Sequence, residues 1–134
     1  MKPISKVDAD ALLSAAHAAQ KRAYAPYSNY RVGAALRANG KTYVGANVEN
    51  ASYGLSICAE RSAVVAAILD GAKDFDAIAV VTTTSPPVAP CGMCRQTLAE
   101  FTSDMPVLLA NDREQSETTL ATLLPFAFRK DSLR

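Results

Sequence analysis

The chain has 134 residues, 49% of them apolar and 20% charged, with 14 basic against 13 acidic residues and a net charge of +1. This is the composition of one soluble globular domain spanning 1–134; it excludes a disordered chain and gives no reason to expect a polyanionic or membrane-surface partner. No apolar run nears the roughly 18 residues of a membrane span, and the polar opening Met1–Lys6 carries no secretory signal.

The first predicted element is a helix from about Asp8 to Tyr24. Ala9, Leu12, Leu13, Ala16, Ala19 and Ala23 recur at helical spacing, Ser5-x-x-Asp8 supplies a capping start and Pro26 a stop. A strand near Arg31–Arg37 follows, with Val32, Ala34 and Leu36 on one face. Asn39-Gly40 is a strong hairpin signal. The return strand, Lys41–Glu49, places Tyr43, Gly45, Asn47 and Glu49 on a common face. A second helix runs from Ala59 to Asp70, ahead of Gly71. The short apolar run Ala77–Val81 reads as a strand buried on both faces. A third helix spans about Cys91 to Phe101, Val107–Leu109 is another buried strand, and Leu120, Leu123 and Leu124 form a short last helix stopped by Pro125. No internal repeat appears, and the only candidate linker, Thr82–Pro87, is too short to separate domains. The order α-β-β-α-β-α-β-α implies right-handed crossovers, a partly parallel sheet and helices on its faces.

All three cysteines fall in two segments, Cys58-Ala59-Glu60 and Pro90-Cys91-Gly92-Met93-Cys94. They are not spread as a disulfide framework, so the expected setting is the reducing cytoplasm and the expected use metal binding or catalysis. Each segment opens a predicted helix, where free N–H groups and the helix dipole favour the thiolate that binds metal. Cys91 and Cys94 share one face of one turn. Three thiolates occupy three corners of a tetrahedral zinc site. The chain has no fourth cysteine, and its one histidine, His17, lies far from both segments on the flank of the first helix. The ligand arithmetic therefore favours a zinc site with one position open, as catalytic sites have. Glu60, in the first turn beside one ligand, is placed to carry a proton without being a ligand. A lone Cys-x-x-Cys or a lone helical Glu is ordinary. The joint pattern Cys-x-Glu, buried strand, Pro-Cys-x-x-Cys is the three-cysteine form of the zinc-deaminase signature.

Four segments, Val32-Gly33-Ala34-Ala35-Leu36, Asn47-Val48-Glu49-Asn50-Ala51, Cys58-Ala59-Glu60-Arg61 and Pro90-Cys91-Gly92-Met93-Cys94-Arg95-Gln96, together resemble the cytidine deaminases of short, homotetrameric type. The resemblance runs from Ala25-Pro26-Tyr27-Ser28 to Leu123-Leu124-Pro125. It implies a three-layer α/β/α sandwich with a mixed five-stranded sheet. The fifth strand would lie after Asn111, where the sequence itself offers only a polar stretch. It implies one Zn²⁺ per subunit on Cys58, Cys91 and Cys94, with Glu60 as proton shuttle. It further implies Asn47 and Glu49 on the ribose 3′-hydroxyl, Tyr30 beside sugar and base, and Ala59 against the substrate. Ala51 and Tyr53 would contact the 5′-hydroxyl from a neighbouring subunit, and Phe128 would reach a neighbour's pocket and stack on the base. Two departures are visible: Ala46 stands where the family often has a non-ligand cysteine, and Asn111–Thr119 follows no family pattern.

The implied reaction is hydrolysis of cytidine, and of 2′-deoxycytidine, to the uracil nucleoside and ammonia by a zinc-activated water, in pyrimidine salvage. Three thiolates and one Zn²⁺ sum to −1, which blunts the metal's acidity. The helix N-termini offset some of that charge, and Arg61 is placed to donate to the thiolates; Arg95 is a weaker candidate. Three other readings compete. A polynucleotide deaminase would want a basic groove, but the basic residues are scattered. A deaminase of another cytosine-bearing molecule, such as a nucleoside antibiotic, is disfavoured by the Asn47/Glu49 pair. A zinc-stabilised binding module is disfavoured by Glu60 and the missing fourth ligand.

Overall fold

The computed structural model describes residues 1–133. Helix α1 (Lys6–Gln20) is followed by strands β1 (Gly33–Ala38) and β2 (Lys41–Ala46), helix α2 (Ala59–Leu69) and strand β3 (Phe75–Val81). Helix α3 (Gly92–Ala99), strands β4 (Pro106–Ala110) and β5 (Gln115–Thr119) and helix α4 (Leu120–Leu123) complete the regular elements, with short 3₁₀ turns at Tyr53–Leu55 and Lys130–Leu133.

The five strands form one sheet in the order β2-β1-β3-β4-β5. β3 and β4 are parallel; the other three neighbouring pairs are antiparallel. Since β1 opposes both its neighbours, β2 and β3 also run the same way, and α2 and α3 each cross between like-directed strands. The β1–β2 turn is tight because Asn39 and Gly40 both take the left-handed conformation (φ 52° and 76°), as a type I′ hairpin requires.

Side-chain alternation divides the core in two. Ala34, Leu36, Ile78, Val80, Val107 and Leu109 face α2, α3 and α4. Ala35, Ala77, Ala79, Val81, Leu108 and Ala110 face α1, which covers them with Leu12, Leu13 and Ala16. The result is a three-layer sandwich whose central strands are buried on both sides, as their unbroken apolar runs require. Two glycines set the spacing of these layers. A Cβ on Gly33 would lie 2.1 Å from Ala16 O in α1, and one on Gly45 would lie 2.3 Å from Ala59 O at the start of α2.

Most boundaries shift by one or two residues from the sequence expectation, and three larger differences each have a local reason. Ser5 does cap α1 by accepting from Asp8 N at 3.2 Å, but the helix ends at Gln20 instead of Tyr24. Tyr24 is drawn out of it by bridging to Val48, donating from N to Asn47 O (2.9 Å) and accepting from Glu49 N (2.8 Å). β2 stops at Ala46 because its partner β1 begins at Gly33. Past that point the Asn47 side chain substitutes for a strand, Oδ1 accepting from Val32 N and Nδ2 donating to Tyr30 O, both at 2.8 Å. The third difference is β5. It pairs along β4 from Ala110↔Gln115 to Pro106↔Thr119, yet Gln115, Ser116 and Glu117 are all exposed. An edge strand with a wet outer face needs no apolar alternation, and polar side chains there discourage pairing with other chains.

Candidate active site

The N-termini of α2 and α3 meet beyond the C-terminal ends of β2 and β3, where open α/β sheets place their ligands. Cys58 is the N-cap of α2 and Cys91 the N-cap of α3, and neither side chain is spent on capping its own helix. Cys94 lies one turn into α3 and is fully buried. The close approach of α2 to Gly45 holds the first of these helices down on β2. The three sulfurs converge within 4.8 Å of one another, with Cys91 and Cys94 at 3.5 Å.

The charge balance at this cluster is uneven. The S–H of Cys94 and then the Arg61 guanidinium bring the Cys58 thiol down to about 5, against the opposing effect of burial. Cys94 is pushed up in turn, by donating to Cys58, by burial and by the charge of Glu60. Arg61 Nη2 reaches Ser56 O at 3.3 Å and Cys58 Sγ at 4.0 Å. Its Nε is buried and has no hydrogen-bond partner among the described residues. A buried cationic donor left over beside three convergent thiols matches the donor set of a metal whose ligands carry excess negative charge. The cluster fits zinc in ligand type and number, with one position free. Glu60 is 6% exposed, and burial foremost, with the Cys58 charge adding to it, raises its carboxyl above the usual range. A buried carboxyl held above its ordinary range beside the sulfur cluster has the character of a proton carrier.

A cavity of about 340 Å³ opens onto these groups. Its lining brings together Cys58, Ala59, Glu60 and Cys91 with Tyr30, Asn47 and Glu49, and adds Val32, Ile57, Val80, Thr82, Val88 and Ala89. The wall is thus mostly apolar, with a small set of polar groups among it.

A sequence model described as the cytidine and deoxycytidylate deaminase zinc-binding region matches residues 6–110, which include all three cysteines and Glu60. The chain belongs to the cytidine and deoxycytidylate deaminase family. It is 48% identical over 130 residues to the cytidine deaminase of Sporosarcina psychrophila, covering 95% of this chain and 96% of that one. To the cytidine deaminase of Halalkalibacterium halodurans it is 46% identical over 130 residues, covering 95% and 98%. The crystal structure of cytidine deaminase from Burkholderia pseudomallei superposes with a TM-score of 0.86 at 48% identity, covering 93% of this chain and all of that one. The mixed five-stranded sheet is therefore the deaminase fold, and the cysteine cluster lies in the family's zinc-binding region.

Within this deaminase pocket the expected site residues fall into three groups. Cys58, Cys91, Ala59, Glu60, Tyr30, Asn47 and Glu49 line it together, while Cys94 is fully buried behind the other two sulfurs. Asn47 and Glu49 do more than face solvent. Asn47 holds the Tyr30–Val32 backbone, and Glu49 accepts from Tyr27 N (3.0 Å) and Ser28 N (3.1 Å) and from the Ser28 hydroxyl. The Ser28 hydroxyl is also the chief cause that lowers the Glu49 carboxyl below its ordinary value. Ala51, Tyr53 and Phe128 lie outside the cavity of their own chain; Tyr53 lines an adjoining hollow with Tyr27, Ser28, Glu49 and Ser56. Arg95 does not point at sulfur. It donates from Nε to Pro90 O (2.7 Å) and from Nη1 to Leu123 O (2.8 Å), tying the residue before Cys91 to the end of α4. Thr82, Val88 and Ala89 escaped the sequence reading, which weighed Thr82–Pro87 only as a linker too short to separate domains and gave Val88 and Ala89 no role. The signal was the run of prolines leading to Cys91.

Proposed function

We propose that the chain converts cytidine, and 2′-deoxycytidine, with water to the corresponding uracil nucleoside and ammonia. The observation that carries the reading is the buried Glu60 placed with Cys58 and Cys91 on one cavity large enough for a nucleoside, with Cys94 closing the sulfur cluster from beneath. Relatives named cytidine deaminase support the substrate, because they match this chain nearly end to end.

Cys58, Cys91 and Cys94 would hold the zinc, which when bound supplies the Lewis acidity that makes a water nucleophilic at neutral pH. Glu60 takes the proton that the attacking water releases and passes it to ring N3, leaving C4 open to attack. It then delivers a proton to the departing amine, so that one water enters and one ammonia leaves. Burial keeps Glu60 out of competition with bulk water. Arg61 offsets the thiolate charge from outside the ligand set. Asn47 and Glu49 face the sugar end of the cavity, with donor and acceptor capacity left for a ribose hydroxyl. Tyr30 packs between them and the base, and Ala59 lies against the substrate between ligand and Glu60.

The working form is a homotetramer with pockets shared between copies, located in the cytoplasm. No helix among the described residues is long and apolar enough to cross a membrane. The outer faces are unusually apolar for a lone chain: Val65 and Leu69 on α2 are 56% and 84% exposed, and Phe126 is fully exposed. The C-terminal segment is nevertheless firmly held. Gln96 Nε2 donates to Phe128 O at 2.7 Å, and Arg129 donates to Ala99 O, Thr102 O and Ser103 O at the end of α3. An aromatic pinned by its backbone yet 58% exposed suits insertion into a neighbouring copy, so Phe128 stacks on the base there. Ala51 and Tyr53 reach the 5′ end of a neighbour's substrate in the same way. The test is to compare turnover of cytidine, deoxycytidine, free cytosine and a cytosine-containing antibiotic by the zinc-loaded protein. Turnover of the two nucleosides well above the others supports the reading, and preference for the antibiotic overturns it.

A further inference from the structure

The segment between the end of β3 and Cys91 is a poor candidate for precise positioning by itself. Nine residues, 82–90, carry no regular element, yet Thr82, Val88 and Ala89 form a wall of the cavity and the next residue is a ligand. We propose that Ser85, Asn111 and Glu114 form a latch that fixes this wall, making them positioning residues for substrate binding and zinc retention. The inference rests on the deaminase reading of the pocket.

The latch lies in the β4–β5 turn, the polar stretch for which no pattern accounts. Asn111 is 7% exposed and fully used. Its Oδ1 accepts from Arg113 N and Glu114 N, both at 2.8 Å, which builds the turn. Its Nδ2 donates outward instead, to Thr84 O at 2.8 Å and to Glu114 Oε2 at 3.1 Å. The same Glu114 Oε2 accepts from Ser85 Oγ at 2.5 Å. One carboxylate oxygen therefore gathers the loop and the turn, and the side-chain amide separates two tasks: its oxygen makes the hairpin and its nitrogen holds the neighbouring loop.

Position is carried from the latch to the wall with little slack. Between Ser85 and Val88 lie only Pro86 and Pro87, whose rings fix φ and restrict the residue before each. The near end of the segment is held by Thr82 N donating to Ala110 O at 3.0 Å, and the far end by Arg95 on Pro90 O. The latch supplies the missing middle support. Ser85 and Glu114 are both exposed, so their bond contributes little to global stability. Its effect is local, on where Val88, Ala89 and Cys91 sit.

The test uses the zinc-loaded protein with Ser85→Ala, Glu114→Ala, the double variant, Glu114→Gln and Asn111→Asp. Ser85→Ala and Glu114→Ala are each expected to raise KM for cytidine about three- to tenfold with kcat within about twofold, the double variant no more than either alone. Glu114→Gln keeps an acceptor and restores the wild-type KM. Asn111→Asp keeps the turn-building oxygen, loses the donor and behaves like Glu114→Ala. Zinc release to a chelator, read without substrate, is faster in the four weakened variants and normal in Glu114→Gln. Unchanged KM and zinc release in Ser85→Ala and Glu114→Ala overturn the latch, as does a lowered melting temperature with both unaffected. A wild-type protein inert toward cytidine would refute the functional reading instead, while the zinc-release comparison still decides the latch.

Discussion

Under the proposed reading Glu60 and Arg61, adjacent in sequence, have separate tasks, and single substitutions distinguish them. Glu60→Gln keeps the shape and the hydrogen-bonding capacity of the side chain but removes the proton carrier. Its kcat is expected to fall by about 10²–10⁴-fold, the range a general acid–base group supplies, with zinc content unchanged. Arg61→Ala removes a cation whose Nε is buried beside the thiols. Zinc affinity is expected to fall about 10–100-fold, as for other groups that support metal ligands from behind, measured by competition with a chelator. Glu49 differs from both. Its carboxyl is lowered by the Ser28 hydroxyl and the Tyr27 and Ser28 N–H groups. The contribution of a depressed carboxylate is complete above its ordinary pKa and is lost only as pH falls through the lower folded value. Between pH 6 and 8 Glu49 does not titrate, so Glu49→Gln is expected to raise KM without changing the shape of the pH profile in that window.

At the scale of elements, the helices and central strands were legible because their apolar patterns are strong. Leu12, Leu13 and Ala16 on α1, and the unbroken runs of β3 and β4, left little choice of period. The Asn39-Gly40 turn was legible because only a type I′ geometry suits it. β5 was not, because an edge strand exposes Gln115, Ser116 and Glu117 and so carries no burial signal. The end of β2 was hidden for a different reason: Asn47 continues the hydrogen bonding of the strand through its side chain, which no periodicity records. The roles of Gly33 and Gly45 were likewise invisible, since contact between a helix and a strand glycine is a tertiary fact. Gly45→Ala tests that contact. The new Cβ would meet Ala59 O and Ser62 Oγ, forcing α2 and with it Cys58 and Glu60 to shift. A loss of about 1–3 kcal/mol of stability is expected from such overpacking, together with weaker zinc binding. Gly54→Ala, with open space around its Cβ, is the control and should stay within about 0.5 kcal/mol of wild type. Equal losses in both would remove the case that Gly45 positions the site.

For the whole molecule, the question is what covers the exposed apolar faces. α2 buries Val64 at 3% exposure but leaves Val65 and Leu69 to solvent. A helix apolar on both sides is buried on both sides when its assembly is complete. Sedimentation is expected to give a mass four times that of the chain, and Leu69→Glu to lower it. Phe128→Ala is expected to raise KM about tenfold, since aromatic stacking on a base contributes roughly 1–3 kcal/mol. Its zinc content should be unchanged, because Phe128 lies outside the cavity of its own chain. Cys58, Glu60, Cys91 and Cys94 were legible in the sequence because each falls in a short local motif; what would meet Phe128 and Tyr53 in a second copy has no such local signal.

The most direct measurement is the ultraviolet absorbance of cytidine on mixing with the zinc-loaded protein, beside a Glu60→Gln control of equal zinc content. A steady loss of the cytosine band with wild type and none with the control is the expected result. An unchanged band with wild type, or an equal loss with Glu60→Gln, would contradict a cytidine deaminase that works through Glu60.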